Sequence, residues 1–317
     1  MAFVNSKSNL LQAQNPLSAL LIKIFNLFLI LQYHNVMSQQ SVPLSSSETV
    51  SFGFSLFEKE NPDIVLLGDA SVSGSVLRLT KTDQLGKPLP RSVGRAMHVK
   101  PVHIWDKNSG ELADFSTGFS FVVNTNGSKL HGDGFAFFIA PVDLDLPKNS
   151  CGGYLGLFSQ ETALDPTKNQ VVAIEFDSYT NAWDPNPPMQ SPHIGIDVDS
   201  VKSVTTVAWP IDFIPDNGVA HASINYNSES KRLSVFMSYT GSNRNATVSY
   251  DIDLRTVLPE WVRVGFSAAT GELVETHDTT FRSSLVDPPT LKSGRRSLLI
   301  ITRRLISLLR IVKKLIV

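Results

Sequence analysis

Apolar and polar residues alternate in short runs along most of the chain, from Val50 to about Leu285. A period of two places successive side chains on opposite faces of an extended strand, and no run in this region has the helical period. The clearest examples are Phe115–Val123, Phe135–Ile139, Val171–Phe176, Ala222–Tyr226, Leu233–Tyr239 and Trp261–Ala268. The pattern therefore predicts an all-β protein.

Turn-forming residues separate these runs at short intervals, for example at 124–127 and 239–243. Many short strands with regular turns are typical of a β-sandwich or jelly roll. The region contains no internal repeat and no low-complexity linker. We therefore expect one β-domain over residues 39–286.

Composition narrows the classes of partner. The chain of 317 residues is 42% hydrophobic and 18% charged, which suits a globular protein with a large core. Its formal net charge of −1 does not favour nucleic acid as a partner. Cys151 is the only cysteine, so an intrachain disulfide is impossible. A secreted form must then depend on core size, bound metal or oligomerisation for its stability.

Residues 1–38 have the pattern of an export signal. Lys7 lies in a polar lead, an apolar run spans Leu17–Leu31, and small residues follow near Ser38. A retained signal anchor is the alternative. The sequons at Asn126 and Asn245 also fit passage through the secretory pathway, to the extracellular space (apoplast) or the vacuole.

Residues 287–317 differ from the rest of the chain. From Ser297 to Val317, Leu, Ile and Val are interspersed with Arg and Lys at helical spacing, which predicts a basic amphipathic helix. Two interpretations stay open. The tail is either a removed propeptide or an artefact of the gene's predicted end, or it contacts a membrane surface.

Acidic and polar residues cluster after the apolar run that ends at Phe176. Strand alternation places Glu175 and Asp177 on one face, and a proline-rich loop can fold Asn181, Asp184 and His193 back over that face. Oxygen ligands suit calcium, and an imidazole added to carboxylates suits manganese or a similar transition metal. The simpler interpretation is a solvated strand end without a metal.

Four ordered segments resemble the legume lectin family, which has a concanavalin-like jelly-roll β-sandwich. The resemblance covers essentially residues 48–285. The segments are Val171–Asp177 with His193–Val198, then His131–Pro141, Gly152–Phe158 and Leu258–Gly271. The chain is identified on these motifs as a member of that family, and the resemblance implies a carbohydrate-binding protein of glycans and glycoproteins.

The resemblance also implies two metal sites. The manganese ligands by position are Glu175, Asp177, Asp184 and His193. The calcium ligands by position are Asp177, the Tyr179 carbonyl, Asn181 and Asp184. The segment between Asp184 and His193 is a few residues longer than is usual in the family. A displaced His193 would leave the manganese site less securely predicted than the calcium site.

A sugar offers hydroxyl groups and an apolar face, so its site needs a carboxylate, an amide, backbone donors and an aromatic surface. By resemblance these are Asp133, Gly153, Tyr179 and Asn181, with the backbone N–H groups of Glu272 and Leu273. The peptide bond before Asp133 is implied to be cis. The short loop at 271–277 resembles that of members binding mannose or glucose.

The segment after this loop is the weakest match. Residues 277–285 look shorter and more polar than the family's closing strand, so either the sheet has a frayed edge or the gene's predicted sequence is imperfect there. The resemblance implies a homo-oligomer built through the same sheet, and this departure leaves the oligomeric state open.

Three other functions compete with a lectin. A β-glucan hydrolase on the same fold would need a second glutamate where Tyr179 stands, so we expect no enzyme. The lectin-like ectodomain of a truncated receptor-like kinase is a second alternative. A defence or storage relative that has lost sugar binding is a third, although Asp133, Gly153 and Asn181 argue against it.

Overall fold

A computed structural model describes residues 50–52, 61–184, 192–211 and 217–287, with side chains within 61–184, 192–211 and 217–280. All of these residues belong to one compact unit. The strands are β1 Val50–Phe52, β2 Ile64–Gly68, β3 Ser71–Ser73, β4 Val76–Arg78, β5 Val93–His98, β6 Val102–His103, β7 Asp114–Asn124, β8 Gly134–Pro141, β9 Val172–Asp177, β10 His193–Val198, β11 Thr205–Ala208, β12 Ala220–Asn227, β13 Arg232–Tyr239, β14 Asn245–Asp251, β15 Trp261–Ala269 and β16 Thr276–Asp287. Short 3-10 helices span Gly152–Tyr154 and Leu254–Thr256.

The strands form two antiparallel sheets. The first has the order β14-β13-β12-β7-β16-β4-β3, with β1 also paired to β16. The second has the order β11-β10-β9-β8-β15-β5-β2, with β6 also paired to β15. Both orders contain crossovers between strands distant in sequence. The predicted all-β jelly-roll sandwich is therefore confirmed.

An aromatic core fills the space between the sheets. Phe119 on β7 lies with its ring centroid 4.8 Å from that of Phe266 on β15, and Phe121 lies 4.7 Å from Phe135 on β8. All four side chains are buried, as the alternating pattern predicts. Each buried aromatic contributes about 1.5–3 kcal/mol through the hydrophobic effect. This core holds the two sheets together, and the loops that connect their strands are positioned by it.

A smaller core lies against the opposite face of the second sheet. It contains Phe138 from β8 of the sheet, together with Leu155 and Phe158 from the segment that follows β8. The fully buried Arg95 anchors this layer: its guanidinium donates to the carbonyls of Leu144 at 3.1 Å and Gly156 at 2.5 Å. Burial lowers the pKa of Arg95 to about 10. The 3-10 helix Gly152–Tyr154 is thereby held against the sheet.

The expectation of a shortened or frayed closing strand is wrong. β16 has 12 residues and lies inside the first sheet, where it pairs with β7, β4 and β1. Its polar residues have partners, because Asp278 accepts two hydrogen bonds of 2.8 Å from Arg78 on β4. The pairing of β16 with β7 has one irregularity, a shift of register between Phe281 and Ser283. The polar residues of β16 therefore form contacts with neighbouring strands, and they do not interrupt the strand.

The predicted signal at 1–38 and the tail at 287–317 lie outside the described residues, apart from Asp287 at the end of β16. The two sequon asparagines are described and exposed: Asn126 lies in the turn after β7, and Asn245 begins β14. Among the described residues, no helix has the length and apolarity needed to cross a bilayer.

Candidate functional site

The predicted metal ligands meet where β9 ends and β10 begins. His193 pairs directly with Asp177 across these strands, and Glu175 lies two residues before Asp177 on the same face. Ligand atoms of all three buried side chains lie within 4.8 Å of one another. The His193 Nε2 atom lies 2.9 Å from Glu175 Oε1. The longer connection from Asp184 therefore does not displace His193.

This cluster concentrates negative charge in a buried place. Burial raises the pKa of Asp177 well above its ordinary range, and the neighbouring carboxylates of Glu175 and Asp184 raise it further. Burial also raises the pKa of Asp184 to about 6. Burial opposes protonation of His193, but the adjacent Glu175 and Asp184 carboxylates raise its pKa above the usual value. Buried like charges of this kind are relieved by a cation.

Two carboxylates accept hydrogen bonds from the backbone of the loop that follows β9. The Tyr179 N–H donates to Asp177 Oδ1 at 2.7 Å, and the Asn181 N–H donates to Asp184 Oδ2. Asp184 in turn donates its N–H to the Asn181 carbonyl at 3.3 Å. The carboxylates of Glu175 and Asp177 lie close to the His193 imidazole, as a transition metal requires, and the loop after β9 carries the carboxylate, amide and carbonyl oxygens that suit calcium, so the donor types fit both ions. Asp184 stands at the edge of the tighter group formed by Glu175, Asp177 and His193.

Asp133 stands beside this loop at the start of β8. The Gly132–Asp133 peptide bond is cis, as the resemblance implies. The Asp133 N–H donates to the Ala269 carbonyl at 3.3 Å, and its carbonyl accepts from the Ser178 N–H at 3.0 Å. Burial raises the pKa of Asp133 to about 6, although a hydrogen bond from the Gly271 backbone opposes the shift. Its Oδ2 atom is buried and has no hydrogen-bond partner among the described residues.

Two adjacent glycines bring Asp133 and Asn181 to one place. A Cβ atom on Gly152 would lie 3.7 Å from Asp133 Oδ1, and one on Gly153 would lie 2.2 Å from Asn181 Oδ1. Only glycine permits the second approach. Within the described part of the chain, Asn181 Oδ1 also lacks a hydrogen-bond partner. Gly271 closes the other side, since its own Cβ would lie 2.9 Å from Asp133 Oδ2.

The remaining predicted sugar contacts are more exposed. The Tyr179 side chain is 42% exposed and packs over Gly132, where a Cβ atom would lie 3.0 Å from Tyr179 Cβ. The Glu272 carboxylate forms an exposed ion pair with Arg91, and Leu273 beside it is half-buried. The structure thus groups Asp133, Gly153 and Asn181 closely, while the ion pair of Glu272 uses its side chain and leaves its predicted backbone contact unaffected.

The family model described as "Legume lectin domain" matches residues 49–291, about three quarters of the chain. The chain belongs to the legume lectin family. This lectin is 61% identical to lectin 10 of Medicago truncatula over 90% of its own length and 100% of that protein. It is 66% identical to lectin 9 of the same plant, over 83% and 96% of the two chains.

Solved structures agree with this assignment. The basic winged bean lectin with Tn-antigen has a TM-score of 0.69 and 37% identity, over 77% of this lectin and 100% of that chain. Lectin I of Ulex europaeus, in complex with the methyl glycoside of α-L-fucose, has a TM-score of 0.67 and 39% identity, over 75% and 98%. The prediction of a carbohydrate-binding protein rather than an enzyme is confirmed.

Two groups of site residues were missed in the sequence. In this lectin the Ser203 hydroxyl bridges Glu175 and the fully buried Asp197, at 2.7 Å from Asp197 Oδ1. Asp197 could have been predicted from the sequence, because it lies four residues after His193 and therefore on the same face of β10. The second group is Glu275 with His131 and His277. No spacing rule joins these three, since they meet only in the folded chain.

Proposed function

We propose that the lectin binds mannose or glucose units of glycans reversibly, at the place where Asp133, Gly153 and Asn181 meet, and without chemical conversion. The observation that carries this proposal is the buried Asp133 Oδ2, which lacks a partner in the described chain and lies between Gly152 and Gly271. Buried polar atoms are normally hydrogen-bonded. Here a hydroxyl group of the ligand would donate to Asp133 Oδ2, and calcium would bind Asn181 Oδ1, which also lacks a partner in the described chain.

The side chains match the chemistry of a sugar. An ionised Asp133 accepts hydrogen bonds from two neighbouring hydroxyls, while the Asn181 amide nitrogen donates to a sugar oxygen. Gly153 lets a sugar ring approach the main chain because no Cβ atom intervenes. The half-exposed ring of Tyr179 offers an apolar surface to the ring carbons.

Calcium and manganese would supply fixed positive charge that neutralises the buried carboxylates and orders the loop after β9. Glu175, Asp177, Asp184 and His193 would hold the transition metal, and Asp177, Tyr179, Asn181 and Asp184 would hold calcium. Because Tyr179 and Asn181 belong to both the metal loop and the sugar site, ordering this loop also orients the sugar contacts.

The choice of mannose or glucose rests on the loop at 271–277. Its shortness resembles members that bind these sugars, and backbone N–H groups at Glu272 and Leu273 would then bond a sugar oxygen. Solved relatives at similar identity carry other ligands, the Tn-antigen in one and a fucose glycoside in another. The sugar must therefore be tested against both alternatives.

The decisive experiment is calorimetric titration of the metal-loaded lectin with methyl glycosides of mannose, glucose, galactose and fucose. We expect binding of the mannose or glucose glycosides, and loss of that binding after EDTA, restored by calcium with manganese. Binding of galactose or fucose alone would keep the carbohydrate site and overturn the loop argument. If no glycoside binds, the metal-loaded protein is a relative with another role.

Single sites of this shallow kind bind monosaccharides weakly, so a homo-oligomer would raise avidity for multivalent glycoproteins. We also propose a secretory route to the extracellular space or the vacuole, supported by the signal pattern at 1–38 and the exposed sequon residues Asn126 and Asn245. N-terminal sequencing and glycan mass of the protein expressed in plant cells test this. An uncleaved, unglycosylated chain would contradict it.

A further inference from the structure

A buried carboxylate lies directly behind the proposed sugar site. Glu275 is fully buried and belongs to the segment between the loop at 271–274 and β16. Its two oxygens accept from three side chains: His131 Nδ1 at 2.8 Å, Ser178 Oγ at 2.5 Å and His277 Nε2 at 2.9 Å. Burial opposes ionisation, but the hydrogen bonds from the two histidines lower the pKa of Glu275 to about 2.

These donors come from three different parts of the fold. His131 precedes the cis peptide bond to Asp133, and Ser178 lies between Asp177 and Tyr179 in the metal loop. His277 belongs to β16 in the other sheet. Glu275 itself follows the glycine that closes over Asp133. Glu275 therefore joins three of the four segments that supply the proposed sugar contacts: the segment before Asp133, the metal loop and the loop at 271–274.

The network reaches Asp133 through one residue. The Ser178 N–H donates to the Asp133 carbonyl at 3.0 Å, while the Ser178 hydroxyl donates to Glu275. Behind Glu275, the His277 Nδ1 atom lies 3.0 Å from the Thr80 hydroxyl. Both ring nitrogens of His277 therefore have a partner, Glu275 at Nε2 and Thr80 at Nδ1. The chain of hydrogen bonds runs from the first sheet to the backbone of Asp133.

We propose that Glu275 is a positioning residue for sugar binding, which sets the place of Asp133 through Ser178 and His131 without touching the sugar. This rests on the proposed sugar site. A hydrogen bond on the surface would not fix the position of Asp133, because water competes for the same groups. A buried carboxylate with three donors has one arrangement that satisfies all of them. Hydrogen bonds to a charged group are also the stronger ones.

The test is Glu275→Gln in the full, metal-loaded chain. The amide keeps the volume but replaces one acceptor oxygen with a donor, so it faces donors it cannot satisfy. We expect the affinity for the glycoside that the unmodified lectin binds to fall about ten- to hundredfold, as loss of a charged hydrogen bond implies. Amide exchange of peptides containing Asp133 and Ser178 should become faster in the same variant, and this readout needs no sugar.

The matched control is Asp253→Asn. Asp253 also binds two basic side chains, Lys231 at 2.8 Å and Arg255 at 2.6 Å. Its partner Lys231 follows β12, whose Tyr226 pairs with Phe115 of β7, whereas Thr276, next to Glu275, pairs with Asn124 at the other end of β7. This variant should lose stability while sugar affinity and the exchange of the Asp133 and Ser178 peptides stay unchanged.

The outcomes separate the two proposals. Unchanged affinity and unchanged exchange in folded Glu275→Gln would overturn the positioning role. Faster exchange in a protein whose unmodified form binds no glycoside would support positioning and overturn the sugar site alone. If Glu275→Gln does not fold, His131→Asn decides, because its amide can still donate to Glu275. Full affinity in His131→Asn with lost affinity in His131→Ala supports the network, and full affinity in both overturns it.

Discussion

The ring of Tyr154 stacks on that of Trp183, with centroids 5.2 Å apart and planes inclined by 22°. Tyr154 ends the 3-10 helix that contains Gly153, and Trp183 precedes Asp184 in the metal loop. The contact therefore joins the glycine segment of the proposed sugar site to the segment that would hold calcium. The positions of these two segments are coupled by an apolar contact as well as by Asn181.

Replacing Trp183 with leucine should loosen this coupling. An aromatic pair contributes about 0.5–1.5 kcal/mol beyond its buried area, so we expect sugar affinity to fall about three- to tenfold. Trp261→Leu is the control, since Trp261 also stacks on a ring, His103, at 4.4 Å, but at the opposite end of β15 from the site. Calorimetry of both variants checks the prediction, and equal affinities would contradict it.

A methyl group at Gly153 should abolish sugar binding. The added Cβ atom would lie 2.2 Å from Asn181 Oδ1, so the amide must move out of the site. Gly118→Ala is the control, because a Cβ atom there would meet its nearest neighbour, the Ala222 carbonyl oxygen, at an ordinary 3.7 Å. We expect both variants to fold by circular dichroism and only Gly118→Ala to bind a sugar column. Retention of the Gly153 variant would refute the assigned approach.

Metal-free and metal-loaded protein should respond to pH in opposite ways. The pKa of Asp184 is raised from 3.8 to about 6 and that of Asp177 is raised well above 3.8. Between these values the metal-free folded state binds more protons than the unfolded chain, so its stability falls as pH rises. Protons compete with cations for the same oxygens, so the metal-loaded protein loses stability as pH falls below about 6.

Thermal unfolding at pH 5 and pH 7 tests this reversal. The metal-free protein should melt a few degrees higher at pH 5, and the protein with saturating calcium and manganese should melt higher at pH 7. Glu275 and Asp253 do not disturb the comparison, because their lowered pKa values act only below about pH 4.5. The same pH trend in both forms would show that the buried carboxylates do not bind the metals.

Loss of the Arg95 guanidinium should destabilise the whole sandwich. Arg95→Met leaves the carbonyls of Leu144, Asp145 and Gly156 without their donor, and because the bond to Gly156 is buried we expect a loss of about 3 kcal/mol. Arg232→Met removes an exposed ion pair with Asp251 and should cost under about 1 kcal/mol. Urea unfolding of the two variants gives both values. Similar losses would mean that Arg95 is not an anchor.

Local pattern was sufficient where the site is built from neighbouring strands. Alternation on β9 predicted that Glu175 and Asp177 share a face, and the pairing of β10 with β9 then brought His193 to them. The strand β16 was misjudged because its polar residues find partners, such as Arg78, that come from distant sequence. Glu275 was missed for the same reason. A buried carboxylate is recognised by its donors, and those donors meet only through tertiary structure.

The two halves of the site have different folding requirements. The proposed metal ligands from Glu175 to His193 all belong to β9, the start of β10 and the chain between them, so they are close in sequence. Asp133, Gly153, Asn181 and Gly271 come together only when β8, β9 and β15 are all in register. If the proposed sugar site is correct, retention on a sugar column would therefore report the assembly of several strands at once, which a measurement of metal content would not.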